Sequence, residues 1–180
     1  MRITWYAHAC FRLEGSGLAI VTDPYTPERA GIPPVPDAAD VVVMSSALDS
    51  AHSNWQMVPG SPRVVNAFDA VAGPIRLDGS VELSGIPAME NRNRPDDPKA
   101  NALYTLTLDG VTVCHMGDVG NPLTEDQLAP LRGRVDVLLA LAGARQTIAL
   151  APRRAHDRRP DAAARLSEII APWGVASVSA

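Results

Sequence analysis

The sequence predicts an α/β or α+β layered sandwich. Three observations carry that prediction. Short apolar runs, rich in β-branched residues and alternating with period two, fill most of the chain up to His115. Glycine-containing turn signals separate them at hairpin spacing. The apolar period lengthens to a helical one only after Thr124.

Taken in order, "ITWYAHACFRLEG" and "LAIVTDPY" read as strands joined through Gly15, Ser16 and Gly17, which suits a hairpin. The segment "PERAGIPPVPDAAD" follows; Pro33, Pro34 and Pro36 each remove a backbone donor, so irregular surface structure is expected. "ADVVVMSS" is a continuous apolar run, the pattern of a strand covered on both faces. Further strands are expected at "PRVVNAF", "IRLDG", "VELSGIPAM", "ALYTLTLDG" and "VTVCHMGD", with a strong hairpin signal at Asp109 and Gly110. Thr124 and Gln127 form a capping box that opens a helix over "EDQLAPLRG", with Gly133 as its stop. A strand "VDVLLALAG", an arginine-rich "APRRAHDRRP", a helix starting at Pro160 and Asp161, and a short last strand "GVASVSA" complete the chain.

The chain of 180 residues, 46% of them hydrophobic, is long enough for one sizeable core, so a single domain over 1–180 is expected. A net charge of −4 gives no electrostatic reason to bind nucleic acid or an anionic membrane. The N-terminal stretch enters strand-like sequence without an apolar run of signal-peptide or membrane-span length, and a cytoplasmic location is expected. Cys10 and Cys114 fall inside strand patterns and read as buried free thiols.

Four histidines, His8, His52, His115 and His156, limit the chemistry available. A hydrolytic zinc site takes about three protein ligands and keeps one position open for water. Asp118 ends the strand "VTVCHMGD" beside a glycine that permits close approach; a functional carboxylate and a turn-capping carboxylate are both compatible with that place. Cys114 and His115 point to opposite faces, whereas His8 and Cys10 share one, and a core histidine beside a buried thiol outweighs a nucleophile and base. Ser45, Ser46, Asp49, Ser50 and His52 contain the residue types of a serine triad without a demonstrable relay. Arg153, Arg154, Arg158 and Arg159 read as a solvated loop rather than an anion site.

Together "ITWYAHACFRLEG", "IVTDPY", "DVVVMSS", "GIPAMENR", "LYTLTLDGVTVCHMGDVG" and "LTEDQLAPLRGRVDVLLALAG" resemble the metallo-β-lactamase superfamily, in the branch of small metal-dependent hydrolases similar to ascorbate-6-phosphate lactonase. The resemblance implies a four-layer αββα sandwich with metal-binding loops at one edge of the two sheets. It also implies a Ser/Thr-His-x-His-x-Asp-His pattern after the strand at Val41. With Ser45 as the leading hydroxyl, the four ligand positions hold Ser46, Leu48, Ser50 and Ala51. Sliding by one residue recovers His52 as the last histidine and leaves Ala47, Asp49 and Ala51 at the others. Glu90 matches the histidine position after "GIP", Asp118 the bridging aspartate, and Ser179 the final histidine. His8 and Asp23 match non-ligand motifs near the same edge.

One or two carboxylates cannot replace the roughly 10–16 kcal/mol that several deprotonated ligands give a tight zinc site. The sequence therefore predicts a degenerate member of the fold, a pseudoenzyme or small-molecule or partner-binding protein, with no metal and with a pocket lined by His8, Asp23, Ser46, Asp49, His52, Glu90 and Asp118. His8, His52 and Asp118 are its catalytic candidates. The alternative is a hydrolase of a lactone, ester or phosphoester that uses one divalent metal, Zn, Mn or Fe, held by Asp118, Glu90 and His52. Metal-free acid/base catalysis in the same pocket is a third reading. The apolar tail around Trp173 leaves room for an oligomer.

Overall fold

Val41–Met44, four consecutive apolar residues, forms a strand with all four buried, because it lies between two parallel neighbours and is covered on both faces. It belongs to a computed structural model that describes residues 1–90, 100–120 and 122–140. Around it stands a five-stranded sheet of β1 (Arg2–Ala7), β2 (Cys10–Gly15), β3 (Leu18–Thr22), β4 (Val41–Met44) and β5 (Arg63–Asn66), in that spatial order. A second five-stranded sheet runs β10-β9-β8-β7-β6, made of β6 (Ile75–Asp78), β7 (Val81–Met89), β8 (Ala100–Leu108), β9 (Val111–His115) and β10 (Val137–Leu139). Both sheets mix antiparallel hairpins with parallel pairs, β3-β4-β5 in one and β9-β10 in the other.

Alternation along the strands assigns each side chain to a layer. Leu13, Ile20, Val41, Val43 and Val65 from the first sheet meet Leu77, Leu83, Ala102, Tyr104, Leu106 and Val113 from the second in one buried cluster, the filling of the sandwich. The neighbouring positions Val21, Val42 and Met44 face outward and are covered by Tyr25, Val35, Ala39 and Val58. On the far side Leu103, Cys114 and Met116 are covered by Val119 and Leu131. The order of layers is the one expected, although the α-helices among the described residues are single turns, α1 (Pro27–Ala30) and α2 (Glu125–Leu128), beside short 3-10 helices at Trp55–Met57 and Ala67–Val71.

Several local expectations hold. The hairpin at Ser16 and Gly17 and the one at Asp109 and Gly110 have positive φ at both turn residues, as two-residue loops between twisted strands require. Thr124 and Gln127 form the capping box in full. Cys10 and Cys114 are buried free thiols.

Others are corrected. "ITWYAHACFRLEG" is two antiparallel strands, since the chain reverses at His8, whose φ is 49°. The proline-rich connection contributes to the core through Val35 and Ala39 rather than lying wholly on the surface. The helix at Thr124 lasts one turn because Pro130 cannot supply an amide donor, and the chain continues as turns to Gly133. Residues beyond 140, which include His156, the arginine cluster, the helix at Pro160 and Ser179, lie outside the described residues. No helix among the described residues is long and apolar enough to cross a membrane.

Candidate metal centre

Strands β3 and β4 run parallel, so their carboxyl ends open on the same side and the loops after them converge there. Asp23 follows β3, the segment from Ser45 to His52 follows β4, and the turn at Met116–Asp118 follows β9 of the other sheet. His8 joins from the turn between β1 and β2. Two of the four non-glycine residues with positive φ among the described residues, His8 at 49° and Asp23 at 36°, flank this edge; the other two are hairpin turns.

The loop after β4 is shaped by its own side chains. Leu48 N–H donates to Ser46 Oγ, and Ala51 N–H donates to Asp49 Oδ1 at 2.9 Å, a local turn that aspartate and serine favour. Asp49 and His52 are thereby turned inward while Leu48 stands 73% exposed. His52 Nδ1–H donates to Asp49 Oδ2 at 2.5 Å and lies 3.7 Å from Asp118 Oδ2. One ligand atom from each of Asp49, His52 and Asp118 falls within 4.8 Å of the other two.

The turn that delivers Asp118 depends on its neighbours. Gly117 has φ +59°, and a Cβ there would come within 2.5 Å of Ser45 Cβ and Oγ and of Asn101 Oδ1. Asp118 N–H donates to Asn101 Oδ1, and Asn101 Nδ2 donates to Met116 O, so this buried amide holds both sides of the turn. Beneath it Asp23 is completely buried; its Oδ1 accepts from Ser45 N–H at 2.6 Å and fixes where the loop leaves β4. Burial pushes the Asp23 carboxyl up to about 7, against the pull of the Ser45 hydrogen bonds and of His52. The hydrogen bond to Asp49 raises the His52 pKa, overcoming the opposite effect of its burial, with Asp118 and Asp23 adding to the rise.

The remaining expected residues sort themselves around this group. The His8 ring lies 5.7 Å from that of His52, centroid to centroid, and its side chain is exposed at the rim. Ser46 is buried and spent on the turn. Glu90 follows β7, next to the chain just after Asp118: Gly120 N–H donates to Met89 O, and a Cβ on Gly120 would collide with Glu90 O. The donor group found among the described residues has Asp49, not Glu90, beside His52 and Asp118. Of the two registers for the loop, the one shifted by a residue has side chains that converge, because it puts ligand positions at Asp49 and His52 rather than at the exposed Leu48. Sequence reading placed Asp49 in the pocket but missed it as a donor, and missed Asn101 altogether; an asparagine inside an otherwise apolar strand start was the available signal.

This donor set fits one divalent cation, and among the described residues no second group of three such donors is found. An imidazole and two carboxylates are suitable ligands for manganese, iron or zinc. The pattern positions held by Ala47, Leu48 and Ala51 offer no ligand atom, and Leu48 points to solvent. The expectation of no metal kept Asp118 and allowed Glu90 and His52 as further ligands; the structure brings Asp49, His52 and Asp118 together instead, which favours a divalent metal over none.

Residues 2–158 match the family model described as the β-lactamase superfamily domain. A UPF0173 metal-dependent hydrolase of Methanoculleus marisnigri is 31% identical over 135 residues, 66% of this chain. The chain spans 58% of the length of that relative. A UPF0173 protein of Pyrococcus abyssi is 28% identical over 82% of this chain and 72% of its own. Among solved structures, one from Thermotoga maritima, named as a Zn-dependent hydrolase of the metallo-β-lactamase superfamily, is similar with a TM-score of 0.55 and 34% identity, over 76% of this chain and 58% of that one. A metal-dependent hydrolase from Parabacteroides distasonis shares the fold with the same TM-score at 18% identity, over 76% and 67%. With the family model matched over most of its length, the chain belongs to the β-lactamase superfamily.

Proposed function

We propose that this chain is a hydrolase of a lactone, ester or phosphoester that works with a single divalent cation held by Asp49, His52 and Asp118. The observation that carries the reading is the convergence of three ligand atoms, from two sheets, within 4.8 Å of one another. The names of the relatives, metal-dependent and Zn-dependent hydrolases, support the same class. They favour it over the metal-free pseudoenzyme that the sequence suggested.

A divalent cation at this position supplies Lewis acidity toward a carbonyl or phosphoryl oxygen and lowers the pKa of a water molecule. The chain's own residues do the rest. Asp49 and Asp118 hold negative charge at the site and compensate a cation's charge. His52 would have to be unprotonated at the nitrogen that held a cation, so binding and deprotonation would be linked. His8, exposed and facing the His52 ring, is placed to exchange a proton with the part of a substrate that reaches the rim.

The Asp49–His52 hydrogen bond also favours a second reading, in which the carboxylate orients His52 as a metal-free general base. The two readings part in one experiment. Protein loaded with Mn²⁺ or Zn²⁺ is assayed on a lactone, a carboxylic ester and a phosphodiester, with and without chelator. Activity lost on chelation and in Asp118→Ala is expected; activity that survives chelation and is lost in His52→Ala would establish the metal-free base instead.

A further inference from the structure

His115 lies outside the donor group, yet both of its ring nitrogens are engaged by backbone that carries site residues. Nε2 is 2.8 Å from Ala9 O, and Nδ1 is 2.9 Å from Gly117 N. A carbonyl only accepts and an amide N–H only donates, so the two contacts together admit one protonation state: the neutral ring with its proton on Nε2. The ring cannot turn away from either partner. It stacks on Tyr104 at 5.1 Å and 12°, and meets Phe11 edge-on at 5.8 Å and 80°.

Its surroundings keep it neutral. Burial pushes the pKa down to about 4, against the upward pull of the Ala9 hydrogen bond. Asp23 Oδ2 lies 3.6 Å from Nδ1 and makes no hydrogen bond. Since Gly117 N–H occupies the Nδ1 lone pair, the imidazole is not serving that carboxylate. Its two hydrogen bonds go instead to opposite sheets: Ala9 follows His8 in the turn between β1 and β2, and Gly117 precedes Asp118 in the turn after β9.

We propose that His115 is a positioning residue, which through a single neutral tautomer ties the His8 turn of one sheet to the Asp118 turn of the other and so sets the span of the site. The consequence for metal binding rests on the reading of Asp118 as a ligand; the clamp itself does not.

His115→Phe keeps the stack on Tyr104 and the ring volume but has neither nitrogen. The expected result is a cooperatively folding variant whose Mn²⁺ affinity, measured from free-Mn²⁺ electron paramagnetic resonance, is about 10–100-fold weaker. A folded His115→Phe that binds Mn²⁺ as the wild type does overturns the proposal. If that variant fails to fold, nitrogen-15 spectroscopy of the wild type decides. Protonated Nε2, unprotonated Nδ1 and a scalar coupling across Gly117 N–H···Nδ1 are expected. A proton on Nδ1, or no coupling, overturns it. Wild-type protein that shows the coupling but binds no Mn²⁺ retains the clamp and loses the metal reading instead.

Discussion

His52 Nδ1 and Asp49 Oδ2 are 2.5 Å apart, three residues from each other in the loop that follows β4. This contact turns an irregular polar segment into a site, because it points one imidazole and one carboxylate at Asp118. It also sets the charge of His52. Asp49→Asn should lower the His52 pKa toward its ordinary value, read from the imidazole proton shifts in an NMR titration. The folded-state pKa of His52 is raised, so the stability it contributes is fully present below the unfolded value of about 6.5 and is lost as pH rises through the folded one. The cost of Asp49→Asn in denaturant melts, about 1.5–3 kcal/mol for a hydrogen bond to a charged group, should therefore be greatest at pH 6 and shrink toward pH 9.

Metal and proton compete for His52. Apparent Mn²⁺ affinity should rise with pH until the raised His52 pKa is passed, then level off. Binding isotherms from pH 6 to pH 9 check this, and the release of protons on binding at the lower pH should disappear at the higher.

Gly117 is a point of close approach between the Asp118 turn and the loop that leaves β4 at Ser45. Gly117→Ala meets both a left-handed backbone and a Cβ contact of 2.5 Å with Ser45, and should destabilise the fold by about 1–3 kcal/mol or more in a chemical denaturation curve. Because the Asp118 turn must move to relieve the clash, Mn²⁺ affinity should fall as well. A Gly73→Ala control, where a Cβ meets nothing within 4 Å, should do neither.

Asp23 gives a second pH signature. Its folded pKa of about 7 lies above the ordinary carboxylate value, so its favourable contribution is present below about pH 4 and is lost as pH rises through 7. Asp23→Asn keeps an oxygen for Ser45 N–H and cannot ionise. Its stability relative to wild type, from urea melts at pH 5 and pH 8, should improve at the higher pH.

What was legible in the sequence is what local chemistry decides. The Asp109–Gly110 hairpin, the Thr124–Gln127 box and the doubly covered strand at Val41 each rest on residues adjacent in the chain, and each is found. The reversal at His8 was not legible, since "YAHAC" contains neither glycine nor proline. It is held by one near partner and one distant one: Trp5 Nε1–H, three residues back, donates to His8 O, and His115 Nε2–H donates to Ala9 O from 106 residues away. Asp49 was misjudged for the same kind of reason. In an irregular loop no period tells which side chain faces inward, and the register of a resemblance anchored at Ser45 gave Leu48 the inward place that the Ser46 and Asp49 turns give to Asp49 and His52.

The central claim is one divalent cation on Asp49, His52 and Asp118. Equilibrium dialysis of chelator-treated protein against Mn²⁺, followed by elemental analysis, tests it most directly, with Asp49→Asn, His52→Ala and Asp118→Asn measured beside the wild type. The account predicts one equivalent bound by the wild type and a large loss of affinity in each variant. Two equivalents, none, or one equivalent retained undiminished in all three variants would contradict it.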